Sequence, residues 1–280
     1  KRQKIITDLL QIAKLRNNVD EIKELENLMQ LITGISSQKI NFEPKASIII
    51  PVFNNLEFTK TCIQKIEENT SNIYEIIIIN NNSTDGTYEY LENLKAQRQN
   101  IKVIHNSENL GFAKACNQGA EITEAEFLVF LNNDIEVEKG WLEKALQKFE
   151  ADERIGIIGA KLLYPDRTIQ HCGIYFERTK GTYTVWANHT HRHKTENDPE
   201  VNIETEPDAV TGACMFIKKD IFNMVNGFDE SYPMYFEDTD LCFKVKQIGY
   251  KVIYSPEITA IHYEAQTIKD QNKILSLIHI

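Results

Sequence analysis

No stretch of this chain reaches the ~18 consecutive apolar residues that a membrane-spanning helix needs. Cysteine is sparse and scattered: Cys62, Cys116, Cys172, Cys214 and Cys242 include no Cys-x-x-Cys pair. An odd, dispersed set supports neither a disulfide framework nor a structural zinc site, and it fits a reduced, cytoplasmic compartment. Basic charge is also short, with 31 Lys and Arg against 41 Asp and Glu and a formal net charge of -10. A nucleic-acid partner needs a basic face to displace counterions, so none is expected. Asp8 and Lys14 interrupt what would be the apolar core of a signal peptide after Lys1-Arg2-Gln3-Lys4. The first residue is Lys1 rather than Met, which leaves room for a partner or fused domain at either terminus. No Gly-x-Gly-x-x-Gly occurs, which argues against a nicotinamide dinucleotide site. Internal repeats and low-complexity tracts are lacking too.

What is present is a chain of 280 residues, 42% of them hydrophobic, enough for one large α/β domain with an appendage. Residues 1–32 carry apolar positions at helical spacing (Ile5, Leu9, Ile12; Ile22, Leu25, Met29, Ile32). Asn17-Asn18 marks a break between two short helices, and residues 34–44 read as a linker. From Ser47 the pattern alternates. Short wholly apolar runs at 47–50, 75–79, 101–104 and 127–131 read as buried parallel strands. Helical stretches separate them, which calls for right-handed βα units around a doubly wound sheet. The second half is more mixed. Strands are expected at 155–163, at 210–217 around Gly212, at 251–254 and at 258–262, with helices at 219–225 and 237–248. The polar stretch 179–208 reads as a long functional loop.

The most informative run is Phe127-Leu-Val-Phe-Leu-Asn-Asn-Asp134. An apolar strand that stops at Asn132-Asn133-Asp134 delivers a carboxylate to the C-terminal edge of a parallel sheet, where open α/β sheets bind ligands. One hard oxygen ligand there suits a divalent cation that carries a diphosphate. The cluster Glu237-Asp238-Thr239-Asp240 stands at an expected helix start, which the helix dipole alone would also favour. His189, His191 and His193 alternate, so strand spacing would put them on one face. They have no clear acidic partner, and a solvated loop is the favoured reading. Nearby, Tyr183, Trp186 and Arg192 could contact an acceptor sugar or a lipid phosphate.

Together these pieces resemble the family 2 glycosyltransferases. In order, the resemblance runs through Ser47-Ile-Ile-Ile-Pro-Val-Phe-Asn54, Asn82-Ser-Thr-Asp-Gly-Thr87, Asn109-Leu-Gly-Phe-Ala-Lys-Ala-Cys-Asn-Gln-Gly119 and Leu131-Asn-Asn-Asp134. It continues through Thr211-Gly-Ala-Cys214, Gly227-Phe-Asp-Glu230, Glu237-Asp-Thr-Asp-Leu-Cys242 and Ile261-His262. The bacterial rhamnosyltransferase-like enzymes of surface-polysaccharide synthesis are the nearest in flavour. The resemblance implies an α/β GT-A fold: a mostly parallel, Rossmann-like central sheet flanked by helices, here with an N-terminal helical extension. The expected divisions are residues 1–45 for that extension and linker and 46–265 for the GT-A domain. Within it, 46–134 form the nucleotide half and 135–265 the acceptor half. Residues 266–280 are expected to form a helical tail.

The resemblance further implies an inverting transferase with Mn²⁺ or Mg²⁺ as cofactor. Its donor would be a nucleoside diphosphate sugar, UDP- or dTDP-linked. Its acceptor would be a saccharide or glycolipid, with peripheral membrane contact if the acceptor is lipid-linked. Asp238 is implied as general base, and Asp134 and His262 as metal ligands. Pro51, Phe53, Asn54, Asn80, Asn82, Asp85, Asn117, Asn132 and Asn133 are implied around the nucleotide sugar. Gly212, Asp229 and Glu237 would lie on the acceptor side. Two positions depart from the family pattern, because Asn80 and Asn132 stand where acids are usual. Those amides keep a second reading open, a catalytically degenerate domain that binds nucleotide sugar or a partner. A sugar-nucleotide pyrophosphorylase is disfavoured, since Pro51-Val-Phe-Asn54 is not a Gly-rich basic loop.

Overall fold

The computed structural model describes residues 43–71, 74–178, 185–232 and 235–264, together with the single positions 6, 9 and 25. The chain divides into two units, residues 1–43 and 44–280. The expected N-terminal helices, most of the linker, Tyr183 and the C-terminal tail lie outside the described residues. Among the described residues no helix is long and apolar enough to cross a membrane.

The larger unit opens with three βα steps and a fourth strand. Strand β1 (Ala46–Val52) leads to helix α1 (Leu56–Asn69), β2 (Tyr74–Asn80) to α2 (Thr87–Gln97), β3 (Ile101–His105) to α3 (Phe112–Glu121), and then comes β4 (Phe127–Leu131). Next follow β5 (Ile135–Val137), α4 (Trp141–Ala151), β6 (Ile155–Leu163), β7 (Ile169–His171) and the hairpin of β8 (Ile174–Arg178) with β9 (Val185–His189). A 3-10 turn (Pro199–Asn202), β10 (Cys214–Lys218), α5 (Lys219–Met224), α6 (Glu237–Gln247) and β11 (Lys251–His262) complete it.

Nine of these strands form one sheet in the order β3-β2-β1-β4-β10-β6-β11-β5, with β7 on β6. Strands β3, β2, β1 and β4 are mutually parallel. Strand β10 runs against both β4 and β6, and β11 runs with β6. The sheet is therefore mostly parallel, with β10, β5 and β7 reversed. The isoleucine runs work as expected for strands covered on both faces. Ile48 and Ile50 join Ile76, Ile78, Val129 and Leu131 under α1, α2 and α4. Ile49 joins Ile77, Ile79, Leu128 and Phe130 under α3, α5 and α6. Successive side chains point to opposite faces, so both faces need apolar residues and the sequence shows no polar alternation.

Three local expectations change. Gly212 lies in the turn before β10, not within a strand, because β10 starts only at Cys214. The two expected final strands are one, β11, with an irregular register between Ser255 and Thr259 around Pro256; proline supplies no ladder N–H and is tolerated at such a break. The polar stretch 179–208 is not all loop, since β9 and the 3-10 turn fall inside it.

Helix α3 sits close to the sheet because its inward face is made of Ala115, Cys116, Gly119 and Ala120. A Cβ at Gly119 would lie 2.5 Å from Ile49 Cγ2 in the middle of β1, a contact that must displace either helix or strand. Gly119→Ala is therefore expected to lower stability by ~1–3 kcal/mol through overpacking, despite alanine's better helix propensity. A urea unfolding midpoint at or above wild type would show that α3 can shift without cost.

Candidate active site

Strand direction alone gathers the site. The C-terminal ends of β1, β2, β4 and β11 and the N-terminal end of the reversed β10 all meet one edge of the sheet. That edge carries Pro51 to Asn54, the 80–85 loop, Asn132 to Asp134, His262 and the turn at Gly212.

The first two loops are tied together by their own polar groups. The Asn54 N–H donates to Ser83 Oγ at 2.7 Å, and Thr84 N–H donates to Asn54 Oδ1 at 2.8 Å. Asp85 accepts from Leu56 N–H at 2.9 Å through one oxygen and from Thr87 Oγ1 at 2.6 Å through the other. Partial burial raises the Asp85 pKa, but these bonds outweigh it and leave the carboxyl below its ordinary value. Asn54, Asn55 and Asn82 all adopt positive φ, which asparagine tolerates better than other side chains with a Cβ. Asn80 is buried. Its Oδ1 accepts Ser83 N–H at 3.0 Å and its Nδ2 meets His105 Nδ1 at 2.9 Å. Its amide thus shapes the loop, while Asn82 beside it is exposed.

Asp134 and His262 come together from distant points in the chain. Strand β5 begins directly after Asp134 and pairs with β11, which sets His262 opposite Ile135. Asp134 Oδ1 then lies 3.2 Å from His262 Nε2, with both residues less than a tenth exposed. Asn132 Nδ2 approaches the same ring nitrogen at 3.5 Å. Asn133 turns away, donating to Thr59 Oγ1 at 3.0 Å. Among the described residues, no three His, Cys, Asp or Glu side chains form a metal cage. The donor set is one carboxylate, one imidazole and a neighbouring amide. That set fits Mn²⁺ or Mg²⁺ only if a ligand such as a diphosphate contributes further oxygens.

Asp238 lies at the start of α6, facing the turn before β10. Its Oδ2 accepts Gly212 N–H at 2.8 Å and its Oδ1 accepts Thr239 N–H at 2.7 Å. A Cβ at Gly212 would stand 3.3 Å from Asp238 Cβ and 3.2 Å from the Phe112 ring, so glycine permits this approach. The same turn touches the metal-side loop, since Asn132 N–H donates to Ala213 O at 2.9 Å. Glu237 is buried, and its Oε2 has no hydrogen-bond partner. Burial, reinforced by the neighbouring Asp238 charge, pushes its pKa up to about 7.

Two of the expected site residues hold turns of the backbone. Asn117 clamps the 227–230 turn: its Oδ1 accepts Phe228 N–H at 3.1 Å, and its Nδ2 donates to Phe228 O at 2.9 Å and Glu230 Oε1 at 3.0 Å. Asp229 caps its own turn by accepting Ser231 N–H at 2.9 Å, which lowers its pKa. The histidine triplet does not share a face. His191 pairs with Glu200 at 3.3 Å, and His193 stacks on Tyr164 with centroids 5.3 Å apart. His189 turns inward to His171, Nδ1 to Nδ1 at 3.2 Å. Arg192 reaches Tyr164 Oη at 2.6 Å and Glu264 at 3.1 Å.

Sequence reading missed Gln170 and His171, which stand in the short strand β7. Gln170 Oε1 lies 2.6 Å from His262 Nδ1, and His171 Nε2 accepts Thr211 N–H at 3.4 Å. Both are buried. Burial and the neighbouring His189 hold the His171 pKa well below its ordinary value. No periodicity marks them, because a three-residue strand is too short to carry a pattern.

A mostly parallel sheet whose ligand edge carries a carboxylate–imidazole pair and a second, backbone-held carboxylate is an α/β fold of the GT-A type. The chain belongs to glycosyl transferase family 2, whose model matches residues 47–225. It is 28% identical over 230 residues to the O-antigen biosynthesis protein RfbC of Myxococcus xanthus, covering 79% of this chain and 17% of that protein. It is 23% identical over 210 residues to the N-acetylglucosaminyl-diphospho-decaprenol L-rhamnosyltransferase of Mycobacterium tuberculosis, covering 69% of this chain and 67% of that enzyme. The chain thus spans about a sixth of the Myxococcus relative's length. Among solved structures, GalNAc-T7 with UDP, GalNAc and Mn²⁺ superposes with a TM-score of 0.63 at 16% identity, over 78% of this chain and 43% of that one. That likeness supports the GT-A fold.

The raised Glu237 pKa has a consequence for stability. Between the ordinary carboxyl value of 4.5 and about 7, the folded chain keeps a proton that the unfolded chain has released. Stability should therefore fall as pH rises through that window. Glu237→Gln should flatten the fall and melt at least as high as wild type at pH 8. Parallel melting curves for the two proteins from pH 4.5 to 8 would contradict the burial-driven shift.

Proposed function

We propose that the chain is an inverting, divalent-metal-dependent glycosyltransferase of bacterial glycan synthesis. It moves a hexosyl or deoxyhexosyl unit from a UDP- or dTDP-linked donor to a saccharide or glycolipid acceptor. The carrying observation is the connected backbone between the two carboxylates: Asp238 is held by Gly212 N–H, and the next residue, Ala213, receives Asn132 N–H beside the Asp134–His262 pair. Base and cation site are thereby fixed relative to each other, which is what an in-line displacement needs.

In this reading Pro51 to Asn54 and the 82–85 loop cradle the nucleoside, while Asn132 faces the ribose or diphosphate. Asp134 and His262 would hold a divalent cation, which would supply positive charge beside the departing diphosphate. Asp238 accepts the proton of the acceptor hydroxyl as that oxygen bonds to the anomeric carbon. The bond from that carbon to the diphosphate oxygen breaks, and configuration inverts. Thr239 donates to Oδ1 through its N–H and its hydroxyl, and Gly212 N–H takes one lone pair of Oδ2, which leaves the other lone pair of Oδ2 for the incoming hydroxyl. Gly212, Asp229 and Glu237 belong to the acceptor side in this reading.

Asn80 and Asn132 favour a second reading, a GT-A domain that binds donor or partner without turnover. Calorimetry with UDP, dTDP and GDP, each with and without Mn²⁺, tests the donor site. One nucleotide should bind in a metal-dependent manner, and Asp134→Ala should lose that binding. No binding under any condition would sink the donor-site assignment. Hydrolysis of the sugar nucleotide without acceptor separates transferase from binding module. Asp238→Asn should keep nucleotide affinity and lose roughly 100- to 10,000-fold of turnover; unchanged turnover would remove Asp238 from the role of base.

A further inference from the structure

We infer that Gln170 is the positioning residue that fixes the tautomer and ring orientation of His262, so that its Nε2 lone pair faces the cation site. This rests on the cation reading of Asp134 and His262 given above and extends it to a residue that touches neither nucleotide nor metal.

The orientation of the Gln170 amide is over-determined. Its Nε2 lies 3.4 Å from the His262 backbone carbonyl and 3.3 Å from Glu264 Oε2, and both of those partners are acceptors. The amide nitrogen must therefore point toward them, which turns Oε1 toward His262 Nδ1 at 2.6 Å. A carbonyl oxygen only accepts, so His262 Nδ1 carries a proton. In the neutral ring, Nε2 is then the unprotonated nitrogen. It faces Asp134 Oδ1 at 3.2 Å. Two acceptors at that distance repel unless positive charge, a proton on Nε2 or a metal cation, lies between or beside them, which makes the pair a place for positive charge.

The setting makes the constraint rigid. Gln170 and His262 are 4% and 8% exposed, so water does not compete for the Nδ1 proton. Strand β7 carries Gln170 and is paired with β6, which in turn runs beside β11 and its terminal His262. Ring and amide are thus held by neighbouring strands of one sheet. Metal-bound histidines commonly donate their other N–H to a buried oxygen, and removing that partner weakens metal binding by ~10- to 100-fold.

The test uses the full chain with ¹⁵N-labelled histidine, in metal-free buffer and then with Mn²⁺ alone. In the wild type, His262 should show Nδ1 in the protonated range and Nε2 in the unprotonated range. Added Mn²⁺ should broaden the Nε2 signal first. Gln170→Leu should lose the fixed tautomer and weaken Mn²⁺ binding by about 10- to 100-fold. Gln170→Glu, made together with Glu264→Gln so that no second carboxylate faces it, keeps an acceptor opposite Nδ1 and should retain both the tautomer and most of the affinity, which separates positioning from a general packing defect. Retention of the Nδ1–H tautomer in Gln170→Leu would overturn the inference, as would equal weakening by Leu and Glu. If the wild type does not bind Mn²⁺ yet its tautomer still depends on Gln170, the positioning role stands and the cation reading of the site falls.

Discussion

Pairing between β10 and β4 sets Cys214 opposite Leu131, with the reversed strand entering the sheet at the edge where β4 leaves it. Because β10 runs against its neighbours, the turn that precedes it lies beside Asn132, at the C-terminal edge of β1, β2 and β4. That turn donates Gly212 N–H to Asp238 and accepts Asn132 N–H at Ala213. Had β10 been parallel, its start would lie at the opposite edge of the sheet, far from Asp134. The reversal is therefore the constraint on which the relation between the two carboxylates depends.

Around this seam much of the polar chemistry is spent on holding backbone, which rigidifies the site before any ligand arrives. Asn80, Asp85 and Asn54 knit two loops into one rim. Asn117 ties α3 to the 227–230 turn across the molecule. Buried amides that satisfy both their donor and acceptor groups fix geometry at little cost. The same logic reaches deeper at strand β7, where Gln170 and His171 meet the rings of His262 and His189.

The five buried cysteines belong to packing. All are free, and burial raises each thiol pKa, so none has thiolate character. Cys62 and Cys214 lie beneath the ligand edge, where a small apolar side chain lets the strands and α1 approach.

The strands β1 to β4 were legible because isoleucine runs bounded by polar loops admit few other structures. The motif order was legible enough to name the family, and Asp134 and His262, which it singled out, stand 3.2 Å apart. Less legible was what each polar side chain faces. Asn117 stands in a matching motif yet grips Phe228, and His189, His191 and His193 alternate in sequence yet take three separate partners. Gln170 gave no signal of its own, and the acidic cluster did not show that burial would raise the Glu237 carboxyl, since both depend on neighbours distant in sequence. The sequence by itself determined the covered parallel strands, the loops at their ends and the family, because hydrophobic period and motif order are local properties. Only the tertiary structure decided the reversed β10, the meeting of Asp134 with His262 across 128 positions, and the residues that orient them. Strand direction and side-chain pairing are settled by contacts between segments that the chain order keeps apart.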